Sequence, residues 1–152
     1  MLHLRAATAA DVPALQACAE QAYARYISRI GRRPAPMDAD FAALVGRRQV
    51  VVAEYDGGLA GYVVTVLCDD HLHVENIAVL PGLQGMGVGS RLLHHAEQAA
   101  REAGRESVVL YTNAAMSENL AWYPGHGYAV TGRRMENGFD RVFFCKTLAA
   151  AG

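Results

Sequence analysis

Gln84-Gly85-Met86-Gly87-Val88-Gly89-Ser90 carries three glycines at every second position. Glycine has no Cβ, so successive backbone N–H groups there can crowd toward one point. Apolar residues at helical spacing start at Val88 and continue through Leu92, Ala96, Ala99 and Ala103, with Gly104 as a natural stop. A glycine turn that feeds a helix N-terminus gathers free amides at the positive end of the helix, which makes an anion site. A P-loop needs G-x-x-x-x-G-K-[ST], and no lysine stands here; the last glycine is also displaced for a G-x-G-x-x-G fingerprint. On its residues alone the loop is a phosphate site of unspecified kind, or a tight strand-to-helix turn that binds nothing.

Two further side chains could move protons. Glu75 is the one acid in the apolar stretch 72–80. A carboxylate in low-dielectric surroundings is held toward its neutral form, which suits a base. The plainer reading is a carboxylate at an open sheet end, paired to Arg32 or Arg33. Tyr123 is one of seven tyrosines, and a phenol of ordinary pKa ~10 can donate a proton to a leaving group of comparable basicity. Tyr23, Tyr26, Arg32, Arg33 and Met37 form a mixed aromatic and cationic group around a loop stiffened by Pro34 and Pro36. His71, His73, His94 and His95 lack metal-ligand spacing with acids, and no metal is expected.

The elements that must position these groups can be read in order. Residues 2–6 alternate as a short strand. Thr8 caps a helix, with Asp11 in a capping-box position and Pro13 in the first turns, and Gly31 ends it. Asp38 is placed to cap a second short helix through Leu44. Strands 50–55 and 59–67 flank the hairpin signal Asp56-Gly57-Gly58. Strand 72–80 leads into the glycine turn and long helix, so strand 107–111 can run parallel to it. Ser117 starts a short helix that Pro124-Gly125-His126-Gly127 should break at Tyr123. Strands 128–131 and 141–148 follow, then a tail at 149–152. The fold class is α/β of the α+β type: a mixed, mostly antiparallel sheet of six to seven strands with one parallel pair, flanked by helices. Repeated βαβ units of a doubly wound sheet are absent.

The 152 residues suit one domain, 1–152, and with 52% hydrophobic residues they can build one core. Lys and Arg number 14 against 15 Asp and Glu, a formal charge of −1, so no basic surplus points to nucleic acid. Three cysteines, odd in number and never C-x-x-C, fit neither a zinc ribbon nor a disulfide framework; they suit a reducing compartment. No apolar run reaches membrane-span length, and residues 1–5 do not read as a signal peptide, so a cytoplasmic protein is expected.

Gln84-x-x-Gly87-x-Gly89 resembles the Q/R-x-x-G-x-G/A signature of the GNAT superfamily of N-acetyltransferases. Val79-Leu80-Pro81 before it and Leu92-Leu93 after it agree, and Asn119…Tyr123…Gly127-Tyr128 is similar to the family's N-x-x-x-Y-x-x-x-G-F segment. The resemblance implies the GNAT fold, with its fourth and fifth strands splayed apart, and acetyl-CoA as cosubstrate. It implies that the amides of Gln84, Gly85, Met86, Gly87, Val88 and Gly89, aided by the Ser90 hydroxyl, hold the pyrophosphate. Ile77, Ala78 and Val79 would pair their backbone with the pantetheine arm, one N–H near Ala78 or Val79 serving as oxyanion donor. Tyr123 stands at the general-acid position, and Glu75 near a common position for a base. Asn119 would bond the pantetheine or orient Tyr123, and Asn113 lies near the same arm or only caps its turn. Tyr26, Arg32 and Met37 fall in the region that lines the family's acceptor pocket. Pro124-Gly125 departs from the family, which usually continues a charged helical turn there. The implied function is transfer of acetyl from acetyl-CoA to a primary amine of a small molecule or peptide, by direct attack in a ternary complex. The alternative is an acyl-CoA-binding sensor or partner module with little catalysis. A homodimer is compatible with either.

Overall fold

The computed structural model describes residues 1–149, so the last three residues of the expected tail lie outside the described residues. The strands are β1 (Leu2–Ala6), β2 (Val50–Tyr55), β3 (Gly58–Leu67), β4 (Leu72–Val79), β5 (Ser107–Asn113), β6 (Ala129–Glu136) and β7 (Phe139–Thr147). They form one seven-stranded sheet in the order β1-β2-β3-β4-β5-β7-β6. The helices are α1 (Val12–Tyr23), α2 (Tyr26–Ile30), α3 (Phe41–Gly46), α4 (Val88–Glu102) and α5 (Ser117–Gly125). The expected mixed sheet with one parallel pair, flanked by helices, is what forms. The chain divides into two compact units, Met1–Thr65 with Asn76–His95, and Val66–Glu75 with the chain from Ala96 on.

In the first unit β1 pairs antiparallel with β2, and β2 with β3. The β2–β3 hairpin turns through Asp56 and Gly57, both at positive φ (51° and 80°), as Asp-Gly sequences favour. Leu15, Cys18, Ala19 and Ala22 of α1 are buried, as are Val52, Ala60, Tyr62 and Val64. Leu15, Val52 and Val64 each gain about 1.5–3 kcal/mol from leaving water. Thr8 and Asp11 form the expected capping box, and Asp11 also takes two 2.8 Å hydrogen bonds from the Arg5 guanidinium. Those bonds hold the Asp11 carboxyl well below its usual range.

Two helix boundaries differ from expectation. The first helix does not run unbroken to Gly31. Its ladder tightens after Tyr23, where Ile27 N donates to the Ala24 carbonyl at 3.2 Å, a three-residue step. A three-residue step eclipses side chains three apart, and it buries Tyr23 and Tyr26 together. Asp40, not Asp38, caps α3, accepting from Ala43 N at 3.1 Å. Asp38 instead ends a separate turn set up by Pro34 and Pro36, and pairs with Arg33 at 3.0 Å.

In the second unit β7 pairs antiparallel with both β5 and β6. The parallel ladder of β4 with β5 comprises Leu72↔Val108, His73↔Val109 and Val74↔Leu110 and goes no further, although β5 continues to Asn113. That is the expected splay. The β6–β7 hairpin turns at Asn137 and Gly138, both at positive φ, and its strands run closer to that turn than the apolar pattern suggested, β6 to Glu136 and β7 from Phe139. The core of this unit includes Val108, Leu110, Phe144 and Tyr128. Pro124 does not break α5, which runs to Gly125. Proline so close to the end forfeits only one backbone bond. The helix then closes where Gly127 adopts φ 91° and Tyr128 N reaches the Tyr123 carbonyl at 3.2 Å. The buried stripe of α4 is Val88, Leu92, Leu93, Ala96, Glu97 and Ala100, shifted from the expected Ala99 and Ala103.

Candidate active site

In the first unit the glycine turn is open to solvent. Gln84, Gly85, Met86 and Gly87 are exposed, while Val88 drops into the core and seats α4. Gly85 and Gly87 sit at φ 85° and 80°, where a side chain would be strained. α4 starts at Val88, so Gly89 and Ser90 belong to its first turn rather than to the loop. Arg91 N makes the 3.0 Å bond to the Gly87 carbonyl, which leaves the Val88 and Gly89 amides ahead of the first closed turn. These amides at a positive helix end can take an anion.

The Asn76–Val79 half of β4 is held from behind. The Tyr23 hydroxyl lies 2.7 Å from Asn76 Oδ1 and 2.8 Å from the Ile77 carbonyl. Asn76 Nδ2 donates to the Tyr62 hydroxyl at 2.7 Å. Asn76 is thus tied from both ends of its amide and serves as a structural residue. Ile77 and Val79 are half-buried and Ala78 is buried. Gly61 of β3 makes this approach possible, because a Cβ there would stand 2.5 Å from the Ala78 carbonyl oxygen and 3.3 Å from Val88. Gly61→Ala is expected to cost about 1–3 kcal/mol by overpacking. A thermal melt that finds an unchanged melting temperature would show that Ala78 and Val79 tolerate the shift.

In the second unit Glu75 is exposed, so the apolar enclosure expected of it is absent. It shares the alternate face of β4 with His73, which stacks on Tyr111 of β5 at 5.6 Å. His73 is therefore part of a ring cluster rather than a bystander. Burial pushes its imidazole pKa down and Glu75 opposes that. Tyr111 also packs on Phe143 at 5.5 Å, and the Arg141 guanidinium lies 4.3 Å from its ring centre.

Tyr123 is 4% exposed, wrapped by Trp122, Tyr128 and Phe144. Burial pushes its phenol above the ordinary value. Its hydroxyl has no hydrogen-bond partner among the described residues. Asn119 donates from Nδ2 to Thr112 Oγ1 at 3.1 Å, which fixes it against β5. Asn113 caps its turn, accepting from Ala115 N at 2.9 Å. Of the candidate acceptor residues, Tyr26 and Met37 are buried and Arg32 is exposed. Arg25 and Arg29 lie over the Tyr26 ring at 4.8 and 5.2 Å. Arg33 is an ion-pair residue, 2.5 Å from Glu20.

Sequence reasoning missed Gly61, Tyr23 with Asn76, and the Tyr111–Arg141 pair. A glycine inside an otherwise β-branched strand was the available signal for the first. Tyr111 and Arg141 share one face of β5 and β7, a meeting across two strands that no local spacing carries. Among the described residues no cluster of three His, Cys, Asp or Glu could hold a metal ion. Among the described residues no helix is long and apolar enough to cross a membrane.

Comparison with known proteins agrees with this architecture. An uncharacterised N-acetyltransferase of Mycobacterium bovis is 28% identical over 89 residues, 58% of this chain and 57% of that protein. An aminoalkylphosphonate N-acetyltransferase of Salmonella typhimurium is 37% identical over 65 residues, 38% of this chain and 42% of that protein. The chain thus spans about half the length of the curated relatives it matches. The solved PaiA N-acetyltransferase of Thermoplasma acidophilum, in complex with coenzyme A, superposes with TM-score 0.83 at 15% identity, covering 97% of this chain and 99% of that one. The model of the acetyltransferase (GNAT) family matches residues 15–128, which take in the glycine turn, β4 and Tyr123, and the chain belongs to that family.

Proposed function

We propose that this chain, acting as one domain, moves acetyl from acetyl-CoA to the primary amine of a small molecule or peptide by direct attack in a ternary complex. The observation that carries the reading is the exposed Gly85–Gly87 turn at the start of α4, directly after β4. The amides of Gln84 through Gly89 and the Ser90 hydroxyl take the pyrophosphate. The backbone of Ile77, Ala78 and Val79 lies along the pantetheine, although the Ile77 carbonyl already accepts from Tyr23, and an Ala78 or Val79 N–H takes the charge that grows on the acetyl oxygen. Glu75, exposed and with no ion-pair partner among the described residues, removes a proton from the acceptor ammonium directly or through water. The amine nitrogen then bonds to the acetyl carbon and the carbon–sulfur bond breaks. Tyr123 supplies a proton to the departing sulfur, and Asn119 and Asn113 border the arm. Tyr26, Arg32 and Met37 border the acceptor. A small acceptor is consistent with the relative that acts on aminoalkylphosphonates. Three free cysteines suit a cytoplasmic site for the reaction.

The sensor alternative drew on the Pro124-Gly125 departure and on the uncertain base; α5 has no break at Pro124, while Glu75 is exposed rather than enclosed. A thermal-shift titration with acetyl-CoA and CoA, beside free-thiol release over an amine panel, tests the reading. Ligand at 100 times its Kd adds about 2.7 kcal/mol, a rise on the order of 5–10 °C for a chain of this size. No rise would abandon the acetyl-CoA reading. A rise with no thiol release from any amine would favour the sensor.

A further inference from the structure

We propose that Arg141 anchors an anionic group on the acceptor itself, so that the substrate is a small amine bearing its own oxyanion, a carboxylate or a phosphonate. The inference rests on the acetyltransferase reading and names its acceptor class.

Arg141 lies in β7 opposite Asn113 and is 9% exposed. A buried guanidinium is costly unless its charge and its five N–H donors are met. Among the described residues it makes one hydrogen bond, from Nη1 to Glu136 Oε1 at 3.0 Å. Glu136 is not its own, since Arg134 Nε donates to the other oxygen at 2.9 Å. One carboxylate therefore faces two guanidinium groups. The neighbouring Arg133 and Asp140 are satisfied with each other at 2.6 and 3.0 Å and lend nothing.

The faces of the Arg141 guanidinium are covered by rings, Tyr111 at 4.3 Å and Phe139 at 5.6 Å. Its unused N–H groups lie on its edge, and the edge is what binds carboxylates and phosphonates two-pronged. Tyr111 is half-buried between two opposite charges. Burial pushes its hydroxyl pKa up, Arg141 pulls it down, and Glu75 and Glu136 push it up again. Arg141 and the exposed Glu75 thus both act on one ring from within electrostatic range. A surplus positive group and an unpaired carboxylate set about a half-exposed aromatic ring match a zwitterion. Its oxyanion meets Arg141, its carbon chain lies on Tyr111, and its ammonium faces Glu75, which takes the proton.

The test measures kcat/KM by free-thiol release at saturating acetyl-CoA for matched amines: β-alanine against β-alaninamide, and 2-aminoethylphosphonate against ethylamine. The anionic member of each pair is expected to be preferred by ~10- to 100-fold, the worth of a charge-assisted pair. The ratio between the two anions tells carboxylate from phosphonate. Arg141→Gln is expected to bring that preference near one, mainly through KM, and Arg141→Lys to keep part of it. A purely structural Arg141 would instead lower both members alike. If Arg141→Gln fails to fold, the wild-type ratio still decides: a ratio near one, or a preference for the neutral amine, overturns the anchor. Thiol release without anion preference overturns the anchor and leaves the acetyltransferase reading standing. If acetyl-CoA neither raises the melting temperature nor releases thiol, that reading falls. The anchor is then judged by melting shifts with the four amines alone. A shift confined to the anionic pair and removed by Arg141→Gln or Arg141→Lys supports it, and no such shift overturns it.

Discussion

Replacing Tyr123 by phenylalanine is expected to lower kcat by ~10²- to 10⁴-fold, the usual worth of a positioned general acid, with little change in melting temperature. The two halves of that expectation have separate causes. The ring is packed against Trp122, Tyr128 and Phe144, and phenylalanine fills the same volume. The hydroxyl bonds nothing among the described residues, so its removal orphans no buried partner. What is lost is the donor. Burial raises the phenol above its ordinary pKa, so it stays protonated throughout the physiological range and can give a proton but not take one. Full proton transfer to a thiolate of pKa near ~8.5 is uphill for such a phenol. The gain must therefore come from a hydrogen bond that strengthens as charge builds on sulfur. The rate of the wild type should show no alkaline fall from Tyr123 below pH ~10. Full turnover by Tyr123→Phe on a good acceptor would remove the acid assignment.

The features most legible in the sequence are those carried by the backbone or by local spacing. Gly85 and Gly87 are needed for φ, which is a property of one residue and its neighbours. Tyr123 stands at a fixed distance from Asn119 and Gly127 within one helix and its cap. The Asp-Gly and Asn-Gly turns are legible for the same reason. The misses depend on partners far apart in the chain. Arg141 matters because Tyr111 and Glu136 meet it on adjoining strands. Asn76 reads as an odd polar residue until Tyr23 and Tyr62 close on it from two other elements. Glu75 was expected in apolar surroundings because the stretch 72–80 is mostly apolar, yet Val74 and Asn76 beside it alternate to the other face and leave it exposed. Pro124 shows the opposite error. A local rule said the helix must stop, but proline costs little in a final turn that Gly127 and Tyr128 close anyway.

The same distance effect hides the position where a single change should cost the most stability. Glu97 of α4 is 5% exposed, a carboxylate inside the second unit. It accepts from the Tyr128 hydroxyl at 2.9 Å and from Lys146 Nζ at 3.1 Å. It lies in the buried stripe of α4, where an acid is out of place unless partnered. Lys146→Met removes the cation but keeps the aliphatic stem that passes Gly127. It is expected to cost about 3–5 kcal/mol, because breaking a buried pair strands a charge. For a chain this long that is a fall on the order of 10 °C in melting temperature. The double variant Lys146→Met with Glu97→Leu should recover much of the loss, since apolar groups of similar volume often replace a buried pair without penalty. Thermal melts of the wild type, both single variants and the double variant close a cycle that isolates the coupling. A Lys146→Met melting temperature within ~2 °C of wild type would mean that Glu97 is satisfied by Tyr128 and water alone, and that the lysine, for all its geometry, is only a surface arm laid across Gly127.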